Sequence, residues 1–287
     1  MINFLKYKLA YLIISSVVIL AGLFSIFRWG YIYSIDFVGG TNLLYQSQNA
    51  VQAEQIKKSI VRSGADLVVL SVKDKEMSIR LKAIDEKKET QVRQNLQKDL
   101  NTKITVLSSE TVGPILGRET MNKTIIASLA AILGILIYMS FAFKGLNFAF
   151  AAIIALIHDF LVVVGMYSLI SHFFGAEVDT LFVTAILTTM SFSVHDTIVI
   201  FDKVREYIRK EGRGNLEHYA NRALTETLVR SINNSMTIIF MLLSLTLLGG
   251  STIKFFIITL LVGTITGTYS SPFVATPILV WLEKRKK

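Results

Sequence analysis

The 287-residue chain contains no cysteine, which excludes disulfides, thiolate nucleophiles and cysteine-ligated metal centres. Proline is almost missing as well. Pro114, Pro272 and Pro277 are the full set, so the long apolar runs meet few helix breakers. Charged residues make up only 18% of the chain against 52% apolar residues, a balance that fits a membrane protein better than a soluble one. The net charge is nevertheless +9. In a soluble protein such a surplus would point to nucleic acid. Here the lysines and arginines flank apolar runs, where positive charge has its own topological cause, and no nucleic acid is expected as a partner.

About 20 apolar residues cross a bilayer as a helix. Six runs qualify: roughly 9–29, 124–143, 147–171, 178–201, 235–249 and 253–281. The first follows Lys6 and Lys8 and ends in Phe-Arg-Trp. It is longer than the core of a signal peptide and reads as an uncleaved span. Placing the N-terminus inside puts Lys6, Lys8 and Lys144 on the inner face. It also puts Lys203, Arg205, Arg209, Lys210, Arg213, Arg222, Arg230 and the tail Lys284–Lys287 there. The outer loop 172–177 then has no lysine or arginine. This is the positive-inside pattern of a membrane protein with both termini in the cytoplasm. Three regions result: 1–30 is the cytoplasmic start with the first span, and 31–122 is an extracytoplasmic domain. The third, 123–287, is a five-helix bundle carrying a cytoplasmic amphipathic segment, 202–233.

The outer region reads as α+β. IDFVGGTNLLYQ is expected as a strand interrupted at Gly39-Gly40. Residues 50–64 show helical spacing and close on Gly64. DLVVLSVKD and EMSIRLKA form two strands around Asp74-Lys75, EKKETQVRQNLQKDL is a polar helix, and KITVLSSETVG a last strand. The order β-α-β-β-α-β matches a ferredoxin-like plan. With no histidine, phosphate loop or metal spacing, this region reads as a rigid body rather than a catalytic domain, and no cofactor and no enzyme activity is expected.

The spans carry the chemistry. His158-Asp159 lies near the middle of the third and His195-Asp196 in the inner half of the fourth. A charge at the bilayer centre costs about 3 kcal/mol or more. Along the fourth span Thr184, Thr188, Ser191 and His195 form one stripe, and Thr189, Ser193 and Asp196 the adjacent one. That polar face must meet protein or water. Interhelical hydrogen bonding is one reading. A zinc site is another, but the usual histidine spacing and a glutamate base are missing. Proton relay is the third, because burial opposes a carboxylate's charge while a neighbouring cation favours it. Arg230, delivered by an amphipathic helix at the inner surface, is the candidate cation. Thr259, Gly263, Gly267 and Ser271 give the sixth span a small face suited to close packing.

Several stretches resemble the SecD/SecF family of bacterial protein-export membrane subunits, within the RND superfamily. They are IDFVGGT, TVGPILG, IHDFLVVVG, SFSVHDTIVIFDKVRE, LVRSINNSMT, LLGGSTIKFF and VGTITGTYSSPFVATPIL. The resemblance runs in order over nearly the whole chain. It implies six spans in the inner (cytoplasmic) membrane of bacteria, a ferredoxin-like outer domain and a heterodimer with SecD. It further implies work beside the SecYEG channel and SecA, with YajC and YidC as further neighbours, on a translocating polypeptide driven by the proton motive force. The family's aspartate falls on Asp196 and its arginine on Arg230. His195 stands where many members have asparagine, and Lys203 where many have arginine. Small-molecule efflux of the RND type, and a non-titrating scaffold, are the alternative functions.

Overall fold

The computed structural model describes residues 3–143, 145–212 and 214–285. Four of the basic residues used above for orientation, Lys144, Arg213, Lys286 and Lys287, lie outside the described residues. The elements in chain order are α1 (Lys8–Trp29), β1 (Ile32–Tyr33), α2 (Ile35–Val38), β2 (Gly40–Ser47), α3 (Ala53–Arg62), β3 (Leu67–Lys73), β4 (Glu76–Leu81), α4 (Glu86–Asp99) and β5 (Ile104–Val112). There follow α5 (Pro114–Ala142), α6 (Leu146–Phe174), β6 (Glu177–Val178), α7 (Thr180–Glu211), α8 (Leu216–Leu248), α9 (Lys254–Ser270) and α10 (Thr276–Lys284). The chain divides into two compact units, residues 33–126 and residues 1–32 with 127–287.

The α+β unit is a four-stranded sheet in the order β3-β4-β2-β5, with every neighbouring pair antiparallel. Alternation sets its core. Leu43 and Tyr45 of β2 pair with Ile79 and Met77 of β4. From the helices, Ile56, Ile60, Val92 and Leu96 close over the same face, all fully buried. Each such side chain contributes about 1.5–3 kcal/mol on burial. Asp85 starts α4 by accepting the Lys88 amide at 2.7 Å.

IDFVGGT departs from the expected strand. Ser34 accepts the Asp36 amide at 3.2 Å and caps a single helical turn, α2, and only then does β2 begin. Gly39 ends the turn at φ +74, where a Cβ would lie 2.8 Å from the Pro114 Cα. The Ser34 hydroxyl satisfies one of the first-turn amides that any helix start leaves without a partner, and Gly39 accepts the positive φ and the close approach of Pro114 that end the turn.

Among the described residues six helices are long and apolar enough to cross a membrane, as the six runs imply. Their bounds differ from the apolar runs. The fourth continues as one helix to Glu211, and the fifth is a single 33-residue helix from Leu216 to Leu248. The polar stretch 216–233 is therefore not a separate surface helix. Asn215 caps it by accepting the Glu217 and His218 amides at 3.1 and 3.3 Å, and no glycine or proline interrupts the ladder before Gly249. Backbone hydrogen bonding continues regardless of side-chain polarity.

Small residues let these helices touch. On Gly22 of α1 a Cβ would fall 2.7 Å from the Gly165 Cα of α6, and one turn along, Ser25 and Ser168 share a hydroxyl bond of 2.8 Å. Gly263 and Gly267 of α9 admit Thr189 and Ser193 of α7 in the same way. The small face of the sixth span is thus a packing face. Between α9 and α10, around Pro272, residues Ser271–Ala275 form a π turn.

Candidate functional site

Two carboxylates are buried among the helices, and they are differently surrounded. Asp159 of α6 is 4% exposed. Its Oδ1 meets His158 Nδ1 at 2.9 Å, and its Oδ2 accepts from Ser193 of α7 and, at 2.7 Å, from Ser270 of α9. Three helices thus converge on one carboxylate whose oxygens are all engaged. The other ring nitrogen of His158 is buried without a hydrogen-bond partner among the described residues.

Asp196 of α7 is 5% exposed. Its Oδ2 accepts from the Ser231 hydroxyl of α8 at 2.6 Å. It borders a cavity of about 200 Å³ lined also by His195, Val199, Ile200, Thr227, Arg230, Ser231 and Asn234. Such a space has room and polar partners for several waters. Arg230 lines the cavity and makes no ion pair with Asp196 within salt-bridge distance. The cation, the imidazole and the carboxylate share one polar space.

Hydroxyls of α7 and the π turn lie between the two acids without forming a continuous hydrogen-bonded chain from one to the other. Ser193, which donates to Asp159, lies one turn before Asp196 on α7. The Thr197 hydroxyl, beside Asp196, reaches the Ser193 carbonyl at 3.2 Å and the Ser271 hydroxyl at 2.8 Å. Asp159, His158 and Ser193 therefore come together. Asp196 gathers with His195 and Arg230.

The two stripes on α7 part company. Thr189, Ser193 and Asp196 are buried, while Thr184, Thr188, Ser191 and His195 are exposed. Thr188 satisfies itself on the Thr184 carbonyl at 2.8 Å. On α8 the residues Arg230, Asn233, Asn234 and Thr237 are exposed too. Sequence reasoning missed Ser231, Thr197 and Ser270 as ligands of this network. Hydroxyls are frequent in spans, and their spacing carries no mark of which neighbour they face. For Ser231 the available signal was its place one residue after Arg230. Among the described residues no group of three or more His, Asp or Glu side chains is placed to hold a metal ion.

Residues 92–285 match the family described as protein export membrane protein SecD/SecF, C-terminal. The chain is 38% identical over 302 residues to a protein translocase subunit SecF of Thermobaculum terrenum, covering 99% of this chain and 95% of that one. It is 32% identical over 270 residues to the protein translocase subunit SecDF of Thermus thermophilus, covering 91% of this chain and 36% of that longer one. The crystal structure of SecDF from Thermus thermophilus, described as a translocon-associated membrane protein, superposes with a TM-score of 0.86 at 29% identity. It covers 99% of this chain and 39% of its own.

Proposed function

Because the chain belongs to the SecD/SecF family of protein export membrane proteins and serves as an accessory subunit of Sec protein translocation, we propose that it couples the proton motive force to export. Asp196 is the group that takes up and releases the proton. Arg230 and His195 set its charge balance, and the 200 Å³ cavity supplies water. Asp159 and His158, met by Ser193 one turn before Asp196 on α7, form the second part of the relay. The single observation that carries this reading is a buried carboxylate sharing a polar cavity with a histidine and an arginine inside a span-length helix. Around 2.3 kcal/mol per charge per 100 mV is available to drive such a site.

The exposed stripe Thr184, Thr188, Ser191 and His195, beside Arg230 and Asn233, supports a membrane partner, since lipid tails do not tolerate it. SecD is the proposed occupant, in keeping with the SecDF relative that joins the two names in one chain. SecYEG with SecA, YajC and YidC complete the proposed assembly, in the bacterial inner membrane with both termini cytoplasmic. The 33–126 unit is proposed as the extracytoplasmic, ferredoxin-like domain. Its βαββαβ order and its β3-β4-β2-β5 sheet support that reading.

Asp196→Asn tests the reading. The variant is expected to co-purify with SecD as the unaltered chain does, and vesicles carrying it are expected to export at the rate seen without a proton gradient. Export that stays as sensitive to collapse of the gradient as before refutes coupling at Asp196. Loss of co-purification favours a scaffold role.

A further inference from the structure

A second cavity, lined by neither buried carboxylate, opens beyond the first one toward the end of α7 and the start of α8. Its volume is about 920 Å³. The start of α6, the last turns of α7, the start of α8 and the end of α10 enclose it, and its basic lining is Arg205, Arg209 and Lys284. Its acids are already engaged: Asp202 pairs with Arg205 at 2.5 Å, and Glu283 accepts from Asn147 at 2.6 Å. Lys284 is engaged by Glu217 at 2.6 Å. Among the described residues that leaves Arg209 unpaired and Arg205 only partly engaged, through the nitrogen that holds Asp202. The Arg205 Nε is buried and has no hydrogen-bond partner among the described residues. Arg209 carries no ion pair among them.

The surroundings identify the ligand class. Arg205 lies 5.5 Å from the Phe148 ring, so one of its faces is dry. Trp281, half exposed, stacks under Arg285 at 3.9 Å beside Glu283 and Lys284, the arrangement of an interfacial anchor. Leu146 on the cavity wall is 75% exposed, and Phe141 and Phe150 nearby are exposed as well. A polar cavity with one unpaired guanidinium and one only partly engaged, beside an interfacial tryptophan and a bare apolar wall, fits one molecule at both ends.

We propose that this cavity binds the phosphate headgroup of an anionic phospholipid, with Arg205 and Arg209 on the phosphate and the acyl chains along Leu146 and Phe150. Planar guanidinium groups suit phosphate oxygens.

Native mass spectrometry of the full chain in detergent, titrated with dioleoylphosphatidylglycerol, tests it. One tightly retained lipid is expected, and dioleoylphosphatidylcholine is not retained in the same range. Arg209→Gln, an exposed position that leaves the packing intact, is expected to weaken retention about fivefold. Arg205→Gln does so too, and Arg209→Lys restores most of the binding. Two results overturn the proposal: equal retention of phosphatidylcholine, which means an apolar crevice only, or retention unchanged in Arg209→Gln and Arg205→Gln alike. A third is displacement of the lipid by inorganic phosphate at millimolar concentration, which makes it a free-anion site. If Arg205→Gln fails to fold, Arg209→Gln and the two lipids still decide.

Discussion

In the α+β unit Leu43, Ile56, Met77 and Ile79 are shut away, while Lys57, Lys58, Lys87 and Gln91 face outward. The helical unit also exposes large apolar side chains, Leu9, Phe24 and Leu133 among them, and buries polar ones, Ser25, Asp159, Ser193 and Asp196. One chain thus carries two different burial patterns, as expected of two units that answer to different solvents. Water expels apolar surface and so holds the first unit together. Lipid tails are as apolar as leucine and expel nothing of the kind. The second unit is held by close backbone approach at Gly22–Gly165 and by hydroxyl bonds, and Ser25, Asp159, Ser193 and Asp196 go inward, where they find partners that lipid does not offer.

The difference can be broken most strongly from the α+β side. Ile56→Ala empties part of its core and is expected to cost about 2–5 kcal/mol. Since the chain has no cysteine, Ala65→Cys in this core gives a clean probe of its opening. Maleimide labelling should speed up about 30-fold or more in the presence of Ile56→Ala. The same truncation at lipid-exposed Leu133 should change the helical unit by less than about 1 kcal/mol, since no cavity is left behind. Equal effects at the two positions would mean that one burial rule serves both units.

A smaller effect sharpens the contrast by placing a polar group in the apolar core. Tyr45 donates to Glu89 at 2.5 Å, and Arg93 pairs with the same Glu89 oxygen at 3.3 Å. Burial first, and then Glu89, pushes the Tyr45 phenol far above its ordinary range. The unfolded phenol loses its proton near pH 10 while the folded one keeps it. The unfolded state then binds fewer protons, so stability is complete below about pH 10 and falls as pH rises beyond it. The decline should reach about 1.4 kcal/mol per pH unit. Tyr45→Phe removes that slope, at a loss of about 1–3 kcal/mol at neutral pH from the donor Glu89 no longer has. Labelling at Ala65→Cys, corrected for free-thiol reactivity, measures both.

Legibility in the sequence follows the same division. In the α+β unit, period two in β2 and helical spacing in α3 name the core directly, since one solvent face fixes which side is in. The six spans are legible by length. What the fourth span does with its polar face is not, because Thr188 and Thr189 are equally polar and only the neighbours of α7 decide which is buried. Gly263 and Gly267 settle it by admitting Thr189 and Ser193. The unbroken α8 was hidden for a related reason: its polar first half looks like a boundary, yet a helix ends where its backbone is stopped. The IDFVGGT stretch departs from a strand where Ser34 caps a helical turn and Gly39 packs against Pro114, a contact more than seventy residues away in sequence.

The smallest effect probes the helical unit on its own terms. Ser25 and Ser168 are both fully buried and bonded to each other, and Ser168 also donates to the Gly30 carbonyl at 2.9 Å. In water-solvated cores such a pair would be valued by the hydrophobic area it displaces. Here the unfolded alternative is a helix in lipid that finds other polar partners. Ser25→Ala is therefore expected to cost only about 0.6 kcal/mol, and a double-mutant cycle with Ser168→Ala should return a coupling of similar size. Ser168→Ala alone should cost somewhat more, since it also leaves the Gly30 carbonyl without its hydroxyl. Reversible unfolding in mixed micelles reads these values. A coupling of several kcal/mol would mean that hydroxyl bonds, rather than the backbone contact at Gly22 and Gly165, hold α1 to α6.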